Sequence, residues 1–70
     1  MVEVFKTNVQ HKELADQLVS ALQDRIDFCK INFDLEDCDK ILRVECKQVC
    51  VETVIEILNT HGLQCEVLTD

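Results

Sequence analysis

The sequence predicts an α+β fold of order βαββαβ, with both helices on one face of an antiparallel sheet. Three observations carry the prediction. Two stretches, around Leu14–Ile26 and Val51–Leu58, repeat apolar residues every three or four positions, as a helix covering a sheet does. Three others alternate with period two, around Val2–Phe5, Phe28–Cys46 and Leu63–Val67. The chain has one glycine and no proline, so no linker divides its 70 residues, and residues 1–70 are read as a single domain.

Val2 and Val4 alternate with Glu3 and Phe5, as expected of a first strand with the valines inward and Phe5 outward. Asn8 is a candidate helix cap, so a helix is expected from Val9 or Gln10. Its apolar stripe is Leu14, Leu18, Ala21 and Leu22, widened by Ala15, Val19 and Ile26; Lys12, Glu13, Asp16, Gln17, Ser20, Gln23 and Asp24 take the other face. The next stretch reads as a hairpin around Glu36-Asp37-Cys38-Asp39, with Cys29, Ile31, Phe33 and Leu35 on one face of its first strand. If the apolar faces are to coincide, Phe33 must pair with Leu42 and Ile31 with Val44, because a one-residue slip turns one set toward water. That register also places Lys30 beside Glu45, a favourable cross-strand charge pair. Val51, Val54, Ile55 and Leu58 restore the helical period, and Gly62 is the expected left-handed stop before a last strand of Leu63, Cys65 and Val67. No Ser, Thr, Asp or Asn stands between Cys46 and Val51 to mark where this second helix begins. The expected core is Leu18, Leu22, Ile31, Phe33, Leu42, Val44, Val54, Ile55 and Leu58.

Strands and helices in this order suggest the ferredoxin-like two-layer sandwich, a sheet ordered 4-1-3-2 with both helices on one face. A chain of this length and order resembles the heavy-metal-associated domain of copper chaperones and metal-transporting ATPases, and the resemblance covers essentially the whole sequence. In that family a Met-x-Cys-x-x-Cys loop joins strand 1 to helix 1. The corresponding positions here are Thr7, Val9 and Lys12, none of them a soft ligand, and an ammonium opposes a cation. The resemblance therefore implies the fold without the metal function.

Composition narrows the function classes. Fourteen acidic residues against seven basic give a formal charge of −7, with no basic cluster and neither Trp nor Tyr. Nucleic acid is not an expected partner, because binding it requires cations that replace counterions at the phosphates. The apolar runs are too short to span a bilayer, and the start MVEVFKTNV has neither the basic nor the apolar segment of a secretory leader, so a cytoplasmic, non-membrane protein is expected. Five cysteines would suggest a disulfide scaffold in a secreted chain; in a cytoplasmic one, reduced thiols are expected.

The hairpin register sets Cys29 opposite Cys46 on the inner face, with Cys65 facing the same way from another strand; plain core packing is expected of them, and a soft-metal site or a disulfide is the alternative. His11 and His61 fall at one end of the topology, where a weak zinc site is the alternative to two exposed rings. Asp34, Glu36, Asp37 and Asp39 read as a solvated turn, lacking the glycine and terminal Glu of a calcium loop. Neither a phosphate-binding loop nor a nucleophile elbow is present, so no enzyme activity is expected. No cofactor and no resident metal are expected either. The reading is a small non-catalytic interaction module. Its expected partner surface is the helix-free face of the sheet, where Phe5 and Ile41 lie toward one end, Phe28 and Leu68 toward the other, and Arg43 between. A protein partner or a homodimer through this face, or through the edge strands, is expected.

Overall fold

The computed structural model describes residues 1–26, 28–36 and 38–68. The elements are β1 (Val2–Thr7), α1 (Lys12–Arg25), β2 (Lys30–Asp34), β3 (Ile41–Glu45), α2 (Val51–Thr60) and β4 (Cys65–Val67). The four strands form one sheet in the order β2-β3-β1-β4, which is β4-β1-β3-β2 counted from the opposite edge. Every neighbouring pair is antiparallel. No helix among the described residues is long and apolar enough to cross a membrane.

The hairpin has the register that its apolar pattern requires: Phe33 faces Leu42, Ile31 faces Val44 and Lys30 faces Glu45. On the first strand the pattern misleads. Phe5 pairs with Leu42, and both are fully buried, whereas Val2 is 47% exposed. β1 is therefore turned over relative to the expected phase, with Glu3, Phe5 and Thr7 toward the helices and Val2, Val4 and Lys6 on the open face. Burying a phenyl ring removes more apolar area from water than burying a valine, and at the centre of the sheet that difference decides the phase.

The core is built from Phe5, Ile31, Leu42 and Val44 of the sheet, Ala15, Leu18 and Leu22 of α1, and Val54, Ile57 and Leu58 of α2, closed by Val9 and Val49 from the loops. Phe33 and Ile55, expected inside, are only partly buried against this cluster. β2 is an edge strand, so Phe33 has a neighbouring strand on one side only. Ile57 takes the buried position on α2 that Ile55 was expected to fill.

The first helix begins at Lys12, later than expected, and His11 is its cap, without a side-chain cap hydrogen bond. Asn8 is engaged elsewhere: its Oδ1 accepts the Gln64 N–H at 2.9 Å, tying the β1–α1 loop to the segment before β4. Val9 is fully buried in the core rather than starting a helix. At the far end of α2, the Leu63 N–H reaches the Leu58 carbonyl at 2.9 Å and the Gly62 N–H the Asn59 carbonyl at 2.9 Å, with Gly62 at φ +79°. A Cβ there would meet nothing within 4 Å. Gly62→Ala is therefore expected to cost about 1 kcal/mol through backbone conformation alone, read as a drop in the denaturation midpoint. An unchanged midpoint would show that the positive φ carries no penalty.

Candidate functional site

Two places concentrate chemistry: the open face of the sheet and the end of β2 and β3 where the cysteines meet. On the open face, alternation and register arrange side chains in rows. Lys30, Glu45 and Val2 form one, Asn32, Arg43 and Val4 a second, and Asp34, Ile41, Lys6 and Glu66 a third. Leu68 joins the second row, since its N–H donates to the Val4 carbonyl at 2.8 Å.

Of the residues expected to form the partner patch, the structure keeps Ile41, Arg43 and Leu68 on this face and removes Phe5, which is core. Ile41 is nearly covered although it lies outside the core cluster. Its pairing partners Lys6 and Asp34 flank it, and the β2–β3 loop runs close by, with Lys6 Nζ 3.7 Å from the Asp39 carboxylate. Phe28 lies in the loop between α1 and β2, with φ 62° and a fully exposed ring. Val2 and Val4 are apolar residues of the face that the expected phase of β1 had placed inside.

The β2–β3 loop is fastened to the end of β1. The Thr7 N–H donates to the Asp39 carbonyl at 3.2 Å, its hydroxyl donates to the Lys40 carbonyl at 2.6 Å, and the same oxygen accepts the Val9 N–H at 3.3 Å. Lys40 has φ 49°, and its Nζ donates to the Leu35 carbonyl at 2.9 Å. These bonds hold a strained residue in place, so Thr7 serves as a structural anchor. Further along the β1–α1 connection, Val9 is in the core and Lys12 is an exposed first residue of α1. In the acidic turn the Asp34 carboxylate accepts the Glu36 N–H at 3.2 Å and Asp39 faces Lys6; Asp37 lies outside the described residues.

Cys29 and Cys46 are joined by a disulfide, with their Cα atoms 4.5 Å apart. Extending the β2–β3 register one step beyond Lys30 and Glu45 places them directly opposite, at the close spacing of a non-hydrogen-bonded antiparallel pair. The expectation of reduced thiols there is corrected: the register brings the two side chains together on the inner face, and opposed Cβ atoms at that spacing meet the geometry of a disulfide. The third cysteine of the expected set is elsewhere. Cys65 pairs with Thr7, whereas the Cys46 N–H donates to the Met1 carbonyl, so the two lie at opposite ends of β1, about 20 Å apart at ~3.3 Å per residue. Half-buried and beside Glu66, Cys65 has its thiol pushed up to about 11, chiefly by desolvation, which keeps it protonated and unreactive.

Cys50 contrasts with it. It caps α2, is exposed, and its Sγ receives the Thr53 hydroxyl at 3.1 Å. That hydrogen bond and the backbone N–H of Thr53 hold the Cys50 thiol below its ordinary value against the opposing charge of Glu52. The Cys46 sulfur meanwhile lies 3.5 Å from the Gln48 carbonyl oxygen, over the short connection that leads to Cys50.

His11 and His61 do lie at the same end, their segments linked by Asn8 and Gln64, and both are exposed. His61 Nδ1 is 2.8 Å from the Ile57 carbonyl, an orientation that leaves only Nε2 for any ligand. No group of three His, Cys, Asp or Glu among the described residues is placed to hold a metal ion. A groove between α1 and β2 is lined by Lys12, Asp16, Phe33, Asp34 and Glu36, with neither a histidine nor a thiol in its wall among the described residues. No protein-family model, no curated protein and no solved structure matches this chain.

Proposed function

We propose that the chain is a non-catalytic interaction module of the ferredoxin-like type that pairs with a second copy of itself across the open face of its sheet. The supporting observation is electrostatic. The strands of that face present three cations, Lys6, Lys30 and Arg43, against three carboxylates, Asp34, Glu45 and Glu66. The strand positions of the face thus balance in charge, with Asp39 beside Lys6 at its margin, on a chain whose formal charge is −7. A two-fold contact sets a patch against itself, so a strongly acidic chain meets its copy at least cost where cations and anions balance. Val2, Val4 and Leu68 supply the apolar surface that such a contact buries.

Sedimentation at increasing concentration tests the reading. Wild type is expected to form a dimer, and Val2→Asp and Arg43→Glu, each of which makes the face acidic, are expected to shift it to monomer. A wild type that stays monomeric at high concentration refutes self-association, and a dimer indifferent to both substitutions refutes the open face as its seat. Both residues are exposed and outside the core, so these variants keep the fold. Phe5→Ser would be uninformative for this purpose, since Phe5 is buried.

A further inference from the structure

We propose that Cys29, Cys46 and Cys50 form a thiol–disulfide exchange centre, in which Cys50 attacks the Cys46 sulfur and moves the bridge from β2 to the start of α2. Three observations place the parts. The disulfide joins two strands at their open end rather than in the middle of the sheet, with both cysteines only partly buried, so an attacking sulfur has access. The Cys46 sulfur, the one to be attacked, leans onto the connection to Cys50, against the Gln48 carbonyl at 3.5 Å. Cys50 lies four residues beyond Cys46, across a segment that bends at Cys46, Lys47 and Gln48, and it is exposed at the head of a ten-residue helix. A tether that short keeps the attacking thiol at a high effective concentration beside its target.

The thiol state fits the role. Exchange proceeds through a thiolate, and Cys50 is held toward that form by the Thr53 hydroxyl at 3.1 Å. Cys65, far along β1 and strongly protonated, is excluded from it.

The step balances without an oxidant or reductant. Cys50 gives its proton to water; its sulfur forms a bond to Cys46 Sγ as the bond from Cys46 Sγ to Cys29 Sγ breaks. The electron pair leaves on Cys29 Sγ, which takes a proton from water. One disulfide and one thiol are present before and after. The consequence is mechanical: β2 loses its covalent tie to β3 next to Lys30 and Glu45, at the corner of the open face, and the Phe28 loop is released with it. The chemistry is independent of self-association, and its test does not involve the oligomeric state.

The sequence provides the assay. Oxidised, folded wild type is incubated at neutral pH, quenched in acid, blocked with N-ethylmaleimide and cut with trypsin. Cleavage after Lys47 separates Cys46 from Cys50. A 26–30 peptide joined to 44–47 reports the original bridge; 44–47 joined to 48–70 reports the exchanged one, and a second cut after Glu52 distinguishes Cys50 from Cys65. Both linkages are expected from wild type, and loss of the second from Cys50→Ser. Circular dichroism in the same buffer confirms that both proteins are folded, and a sample unfolded in guanidinium shows that the exchanged pair is detectable. Wild type yielding only the 26–30 and 44–47 pair overturns the proposal, as does a Cys50→Ser digest identical to that of wild type.

Discussion

Phe5→Ala is expected to cost about 3–5 kcal/mol, measured by denaturant unfolding, and to leave the protein far less stable at room temperature. Phe5 is fully buried on β1, in the middle of the sheet, paired with Leu42 on one side and Val67 on the other, beneath both helices. Truncation removes the ring's transfer free energy and opens a cavity that the surrounding core fills only partly. A domain of this size holds a total stability of roughly 4–10 kcal/mol, so one such loss is a large fraction of it. Val2→Ala on the same strand removes an exposed side chain and is expected to change stability by less than about 0.5 kcal/mol. The pair of measurements reads the phase of β1 directly. Similar small effects for both would mean that Phe5 is not in the core, and a larger cost at Val2 would mean that the strand is turned over.

Removing the disulfide is the second large effect. The bridge closes a loop of 17 residues, and constraining a loop of that length in the unfolded chain stabilises the native state by about 3 kcal/mol in the chain-entropy description. The double variant Cys29→Ser, Cys46→Ser is expected to unfold at correspondingly lower denaturant, with the slope altered because its unfolded state is no longer looped. Adding reductant should lower the wild-type midpoint by a similar amount and leave the double variant unmoved. Equal midpoints for oxidised wild type and the double variant would show that the bridge contributes nothing. Substituting both partners together leaves no unmatched thiol, and because Cys29 and Cys46 pack against the rim of the core, the lost contacts are small beside the lost constraint. A cross-strand bridge also bears on where the molecule works: such bonds persist in oxidising compartments, and in reducing ones they are commonly transient.

The β2–β3 hairpin was legible residue by residue because two constraints agreed. The apolar faces of Ile31, Phe33, Leu42 and Val44 coincide in only one register, and that register also sets Lys30 against Glu45. Gly62 was legible for a different reason, being the only glycine and standing where a helix had to stop. The inner stripes of the helices followed from a period of 3.6, although Ile57 rather than Ile55 fills the core from α2. For the candidate sites, the same register foretold that Cys29 and Cys46 would face each other, but a pattern of residues carries no information on their oxidation state.

What needed the tertiary structure shares one physical origin. A strand of six residues with valines on one face and a phenylalanine on the other offers two phases of similar local merit, and only the volume available between sheet and helices selects the larger ring. Val9 and Val49 lie in loops, where no period announces burial, and both close the core because the helices arrive over them. Asn8 had the right chemistry for a helix cap, yet the chain segment before β4 presents an N–H to it that no local reading includes. Thr7 likewise holds a loop more than thirty residues away. Periodicity, charge and the single glycine thus determined the elements, their order and one hairpin register, all of which depend on near neighbours in the chain. The phase of β1, the start of α1, the make-up of the open face and the separation of Cys65 from the Cys29–Cys46 pair were decided by contacts between distant segments, because those energies exist only once the layers have packed.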